Sequence, residues 1–176
     1  MAKFISIHSY RRGAGKSTLA ANIAALLAAQ GKRVCVVDAN FQSPALHALF
    51  NVDENHLSYR LNDYLYARCD VLNTAFDVSA MLGIEGGGQC FTVFASTAPV
   101  DIAHILRHGY DVSRLPGAFR TLIAGLNLDI LLVDNPAGFL EDSLSILALA
   151  DTALITMRHD PHEFQGTSVL IGVARK

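Results

Sequence analysis

One stretch limits what this chain can fold into: Ser9-Tyr10-Arg11-Arg12-Gly13-Ala14-Gly15-Lys16-Ser17-Thr18. It follows a short apolar run, Phe4 to His8, and opens an Ala/Leu-rich segment, Leu19 to Gln30. Strand, glycine-bearing turn and helix, in that order, are the context a phosphate-binding loop requires. The first N–H groups of a helix have no partner inside it, and the helix dipole puts partial positive charge there. A polyphosphate accepts those bonds. Gly13 and Gly15 permit close approach and φ > 0. Lys16 supplies a point charge between the outer phosphates, and the Ser17 hydroxyl is placed to hold Mg²⁺. Arg12, Ala14 and Thr18 complete the expected phosphate-binding set.

The following segments fit a parallel sheet. Leu19, Ile23, Leu26 and Leu27 share one helix face, and Gly31 is a natural stop. Val34 to Val37 is a continuous apolar run ending at Asp38, as expected of a strand covered on both faces. Right-handed crossover geometry then places Asp38 beside the loop. Ser43 is expected to cap a short helix, Ala45 to Phe50, with Pro44 at its first position. Leu61 to Arg68 reads as helix, and Ala75 to Leu82 as a second, less regular one. Gly86-Gly87-Gly88 reads as a plain connector before a strand, Phe91 to Ala95. Asp101 can cap a helix ending at Gly109, and Pro116 to Leu126 forms another. The run Leu131-Leu132-Val133 ends in a further carboxylate, Asp134, which can orient Mg²⁺ or its waters. After the turn Asn135-Pro136-Ala137-Gly138 come a helix (Leu140 to Ala150), a strand (Thr152 to Met157) and a last helix from about His162 to the end. The fold class is α/β: one three-layer, doubly wound, mostly parallel domain over residues 1–176.

This loop resembles the deviant Walker A motif of the MinD/ParA family of P-loop ATPases. The resemblance implies a MinD-like P-loop fold, ATP and Mg²⁺ as ligands, and an ATP-dependent homodimer that positions a cargo. Arg11 stands where the family carries a signature basic residue that reaches the partner's nucleotide. Arg12 departs from the family's glycine. A bulky side chain there can strain the loop, obstruct the dimer face or supply that cation itself. Ser17, Asp38 and Asp134 are the implied metal set. Pro136 and Gly138 fall in the segment whose backbone senses the γ-phosphate. The family's Asp-x-Asp has become Asp38-Ala39-Asn40. An amide can orient the attacking water but cannot take its proton, so slow hydrolysis is expected, with Lys16, Arg11, Asn40 and Asp38 as the catalytic set. The segments Gln42 to Phe50 and Phe164 to Val169 resemble a MinD/ParA-like subgroup associated with cyanobacteria. Family members continue with further strands and helices, so the chain reads as truncated at Val173-Ala174-Arg175-Lys176. Such a loss is expected to expose apolar sheet edge or helix surface.

Composition narrows the function. The chain is 51% hydrophobic and 17% charged, with mean hydropathy +0.31. The apolar residues nevertheless come in short runs, none near the ~20 residues of a membrane span, and no MinD-type amphipathic helix is visible. A net charge of −2 and the lack of a basic cluster argue against nucleic acid. Cys35, Cys69 and Cys90 are scattered, as free thiols of a cytoplasmic protein would be. No signal-peptide pattern precedes the first strand. His104 and His108, and the loop of Arg158, His159, Asp160, Pro161 and His162, offer metal-like spacing without a full ligand set. The loop is also placed to touch adenosine. No guanine motif, Arg-rich lid or switch-adjacent cysteine points to a GTPase, a small-molecule kinase or an iron–sulfur relative. The remaining alternative is a catalytically weak nucleotide-binding or protein-interaction module.

Overall fold

The computed structural model describes residues 2–174. Their elements run β1 (Lys3–His8), α1 (Lys16–Ala29), β2 (Arg33–Asp38), α2 (Leu46–Leu49), α3 (Leu61–Leu65), β3 (Ala75–Asp77), β4 (Gln89–Val93), α4 (Pro99–His108), α5 (Arg114–Gly125), β5 (Ile130–Asp134), α6 (Glu141–Leu149), β6 (Thr152–Ile155) and α7 (Pro161–Ala174). One six-stranded sheet has the order β3-β4-β2-β5-β1-β6. All its pairings are parallel except β3 with β4. The strands of the centre are buried on both faces: Val34, Val36, Val37, Leu131, Leu132 and Val133 are fully inaccessible. Each such side chain gains roughly 1.5–3 kcal/mol over an exposed position. One face of the sheet is covered by α1 and α2, the other by α3 to α6.

The topology positions the site. β5 lies between β1 and β2, with Asp134 opposite Ile7 on one side and Asp38 on the other. The phosphate loop, Asp134 and Asp38 therefore meet at the carboxyl end of three adjacent strands, where ligands of open α/β sheets bind.

Several sequence expectations are corrected. α1 buries its small residues, Ala20, Ala21, Ala24 and Ala28, and not a leucine face; Leu26 is 64% exposed. Small side chains let the helix lie close on the sheet, and Leu19, Ile23 and Leu27 pack at its flank. The segment expected as helix from Ala75 starts with β3, an antiparallel edge strand, followed by turns. α3 stops at Leu65, ahead of Ala67 in the left-handed region (φ 58°). α4 begins at Pro99, so Asp101 lies in its first turn and accepts a bond from Ser96 Oγ (2.7 Å) instead of capping it. Gly88 is no plain connector. A Cβ there would lie 1.9 Å from the Ala28 carbonyl oxygen, so the loop packs on the end of α1. Of the expected terminal helix, Arg175 and Lys176 lie outside the described residues.

Candidate functional site: the phosphate loop and its carboxylates

Gly13 and Gly15 have φ of +79° and +83°, values L side chains rarely adopt; an added Cβ at either would touch nothing. Conformation, not space, requires glycine there. α1 starts at Lys16, and the Leu19 N–H donates to the Gly15 carbonyl (2.9 Å). Lys16 is buried, and its Nζ donates to Ser9 Oγ (3.0 Å), which donates to the Arg11 carbonyl (2.6 Å). The loop thus holds its own lysine. Burial pulls the Lys16 pKa down, the Asp134 charge opposes that, and the Arg12 charge adds to it. An open cleft of about 360 Å³ lies over the loop, lined among others by Arg12, Gly13, Lys16, Ser17, Thr18 and Asn40. Ala14 is half-buried.

The two carboxylates differ in their hydrogen-bond partners. Asp134 is fully buried, and neither carboxylate oxygen has a hydrogen-bond partner. Burial pushes its pKa up to about 6, with the nearby Ser17 hydroxyl and Lys16 charge only partly offsetting this. An unpartnered buried carboxylate is costly. Anionic oxygens beside a hydroxyl are what a hard divalent cation takes, so Asp134 and Ser17 fit Mg²⁺. Asp38 is also buried, but its lone pairs are engaged. Oδ1 accepts from the Asn40 N–H (3.0 Å), and Oδ2 from those of Ala45 (3.0 Å) and Leu46 (3.3 Å). Burial and the neighbouring Asp134 charge raise its pKa to about 7 despite those bonds. Asp38 thereby caps α2 from a distance, and the expected Ser43 cap does not form; the residue preceding α2 is Ala45. Ser43 serves the turn before it, where its carbonyl accepts from Asn40 Nδ2 (2.8 Å) and its N–H donates to the Asn40 carbonyl (3.1 Å).

The turn after β5 is held to β1. Pro136 is buried. The Gly138 N–H donates to the Ser9 carbonyl (3.0 Å), and the Gly138 carbonyl lies 2.9 Å from His8 Nε2. A carbonyl can only accept, so His8 carries its proton on Nε2. Asn135 Nδ2 donates to Ser6 Oγ. His8 is fully buried, and burial, with the Lys16 charge, pulls its pKa down to about 4 against weaker opposing contacts, among them the bond to Gly138.

The loop's first residue reaches a distant element. The Tyr10 ring packs edge-on against Phe139 (5.8 Å between centroids) and occupies the space over Gly166 of α7. A Cβ on Gly166 would lie 2.1 Å from the ring. Arg11 stands over Tyr10 at 5.6 Å and is exposed. The sequence assigns no individual role to His8 or Gln42 and does not show the Tyr10–Gly166 fit; the local signals are a histidine closing the strand and a glycine inside a helix, and Gln42 carries none.

Of the other candidates, His162 lines a second cleft beside the loop with Tyr10 and Arg11, and the rest lie outside the cleft over the phosphate loop. The His104 and His108 rings lie 4.8 Å apart, and no group of three metal-binding side chains occurs among the described residues. Arg158 is committed to the buried Glu163 through Nη2 (2.8 Å) and Nε (3.0 Å). Asp160 Oδ1 accepts from the His162 N–H (2.8 Å) at the start of α7, and His159 packs on Phe164. Cys35 and Cys90 are free thiols whose burial pushes their pKa values up, Cys90 to about 12. No described helix is long and apolar enough to cross a membrane.

A mostly parallel sheet with a phosphate loop after its first strand and a buried carboxylate on the adjoining strand defines a P-loop nucleotide-binding domain. The chain belongs to the CobQ/CobB/MinD/ParA nucleotide-binding domain family, whose model matches residues 5–143. It is 23% identical to an uncharacterized ATP-binding protein of Methanocaldococcus jannaschii over all of this chain and 60% of that protein. It is 28% identical to the septum site-determining protein MinD of Bacillus subtilis over 98% of this chain and 59% of that protein. Its fold is that of MinD from Pyrococcus horikoshii, solved with Mg-ADP (TM-score 0.81, 20% identity, 99% of this chain and 65% of that one). MinD in the MinC:MinD complex of Aquifex aeolicus is similar too (TM-score 0.80, 25% identity, 99% of this chain and 64% of that one). The chain thus spans about three fifths of the curated relatives it matches.

Proposed function

We propose that this chain binds Mg-ATP and hydrolyses it slowly, as the nucleotide-dependent switch of a protein that dimerises and positions a cargo. The observation that carries the reading is Asp134: two buried carboxylate oxygens that make no hydrogen bond, with the Ser17 hydroxyl as their one neighbouring donor group, below a cleft that holds Lys16. The loop N–H groups and the start of α1 would cradle the phosphates, and Lys16 would offset their charge. Ser17 and Asp134 would hold Mg²⁺, which would supply charge neutralisation at the phosphates. Arg11, exposed at the loop, is free to approach a second subunit's nucleotide. The Aquifex aeolicus MinC:MinD complex supports a protein partner.

Two side chains make the rate slow. Asn40 cannot accept a proton from water, and its amide is already engaged with Ser43. Asp38 spends its oxygens on backbone N–H groups. These engagements also favour a second reading, a nucleotide-binding module without turnover.

Equilibrium binding of a fluorescent ATP analogue with Mg²⁺, with Lys16→Ala as control, tests the site. Saturable binding that is lost in the variant is the expected result. A folded wild type that binds nothing would overturn the proposal. Phosphate release then separates the two readings: Asn40→Asp raises turnover about tenfold or more if a missing base limits the rate, and bound ATP with no release in either protein leaves the module reading.

A further inference from the structure

Adjacent arginines leave the loop in opposite directions. Arg11 lies over Tyr10, on the side of α7. Arg12, also exposed, lies on the side of the segment after β2, where Nη2 donates to Gln42 Oε1 (2.8 Å) and the side chain lines the phosphate cleft together with Lys16 and Asn40. No ion pair joins Arg12 to a carboxylate among the described residues. We infer that Arg12 selects the triphosphate within its own subunit, and that Gln42 couples that selection to the segment after β2. The inference rests on the nucleotide reading above.

Charge supplies the first argument. Lys16 and Arg12, two like charges, line one cleft. An anion between them relieves the repulsion, and a more highly charged anion relieves more of it. Geometry supplies the second. Gln42 takes one bond from the guanidinium, whose remaining donors suit phosphate oxygens. The tether also holds the guanidinium at the cleft, so less rotamer freedom is lost when phosphate arrives. Gln42 lies in the short segment between Asp38 and α2, whose backbone Asp38 and Asn40 hold. A guanidinium shared between Gln42 and the outermost phosphate would tie this segment to the nucleotide without a second subunit. The same division frees Arg11 for any partner.

The test is the ratio of affinities for a non-hydrolysable ATP analogue and for ADP, both with Mg²⁺. Wild type, Arg12→Ala, Arg12→Lys and Gln42→Ala are titrated at protein concentrations low enough to keep the chain monomeric. Arg12→Ala is expected to lose about tenfold of the preference for the triphosphate, the scale of one hydrogen bond to a charged group, with ADP affinity changed less than about twofold. Arg12→Lys keeps the charge without the fork and falls between. Gln42→Ala lowers the ratio partway, because the guanidinium loses its tether. Equal losses for both nucleotides, or an unchanged ratio, overturn the inference and leave the nucleotide reading intact. A folded wild type that binds neither nucleotide removes both.

Discussion

His8 shows how much one side chain at the edge of a site can carry. It sits fully buried and uncharged, with Nε2 on the Gly138 carbonyl. Its pKa falls from the ordinary 6.5 to about 4. The folded protein therefore holds fewer protons at His8 than the unfolded chain does between those values, and stability drops as pH falls through them. At about 1.4 kcal/mol per pH unit the full effect is about 3 kcal/mol. His8→Gln keeps a donor for Gly138 and removes the titration. Urea unfolding at pH 7 and pH 4 is expected to show wild type losing about 3 kcal/mol more than the variant between the two. Lys16 and Asp142 also act on this ring, but they remain in both proteins and largely cancel in the difference. Parallel pH profiles would show that folding leaves the His8 pKa unshifted.

Between elements, the contact to test is α7 on the loop. Glu163, Gly166, Thr167 and Leu170 form the buried face of that helix, and the Tyr10 ring fills the gap that Gly166 leaves. Gly166→Ala is expected to destabilise the protein by about 1–3 kcal/mol through overpacking, although alanine is the better helix former by roughly 1 kcal/mol. Adding Tyr10→Ala should recover most of the loss. Additive losses in that double-mutant cycle would mean the two residues do not share the space. Such contacts mark the limit of what the sequence discloses. The strands around Val34–Val37 and Leu131–Asp134, the loop and both glycine stops were legible, because each is a local pattern of apolar runs and breakers. β3 was not. Ala75-Phe76-Asp77 is three residues long, its neighbours suit a helix, and only pairing with β4 makes it a strand. The α2 cap failed for a similar reason: Asp38, seven residues before Ala45, displaced the local candidate. His8 with Gly138, and Tyr10 with Gly166, join opposite ends of the sequence, and no local spacing announces them.

At the scale of the whole molecule, the sheet brings Asp38 and Asp134 side by side in a buried place. Both pKa values rise above the ordinary 3.8, to about 7 and about 6. For raised carboxylates the contribution is full below 3.8 and is lost as pH climbs through the folded values. The Mg²⁺-free domain therefore carries a conflict at neutral pH that its fold creates. Asp134→Asn is expected to melt higher than wild type by about 1–2 kcal/mol at pH 7.5 without Mg²⁺ and to match it near pH 4. Mg-ATP should raise the melting temperature of wild type and leave the variant's unmoved. A variant that melts lower at both pH values would show that the carboxylate has a protein partner in solution. The fit of Tyr10 against Gly166 has a consequence of timing. During synthesis the loop leaves the ribosome well before its packing partner on α7 is made. The loop's strand and helix can pair early, but Tyr10 gains its seat, and Arg11 its platform, only after residue 166 has been translated and α7 has docked. A nascent chain stalled before that point would carry the whole phosphate-binding motif without the support that fixes its first residue.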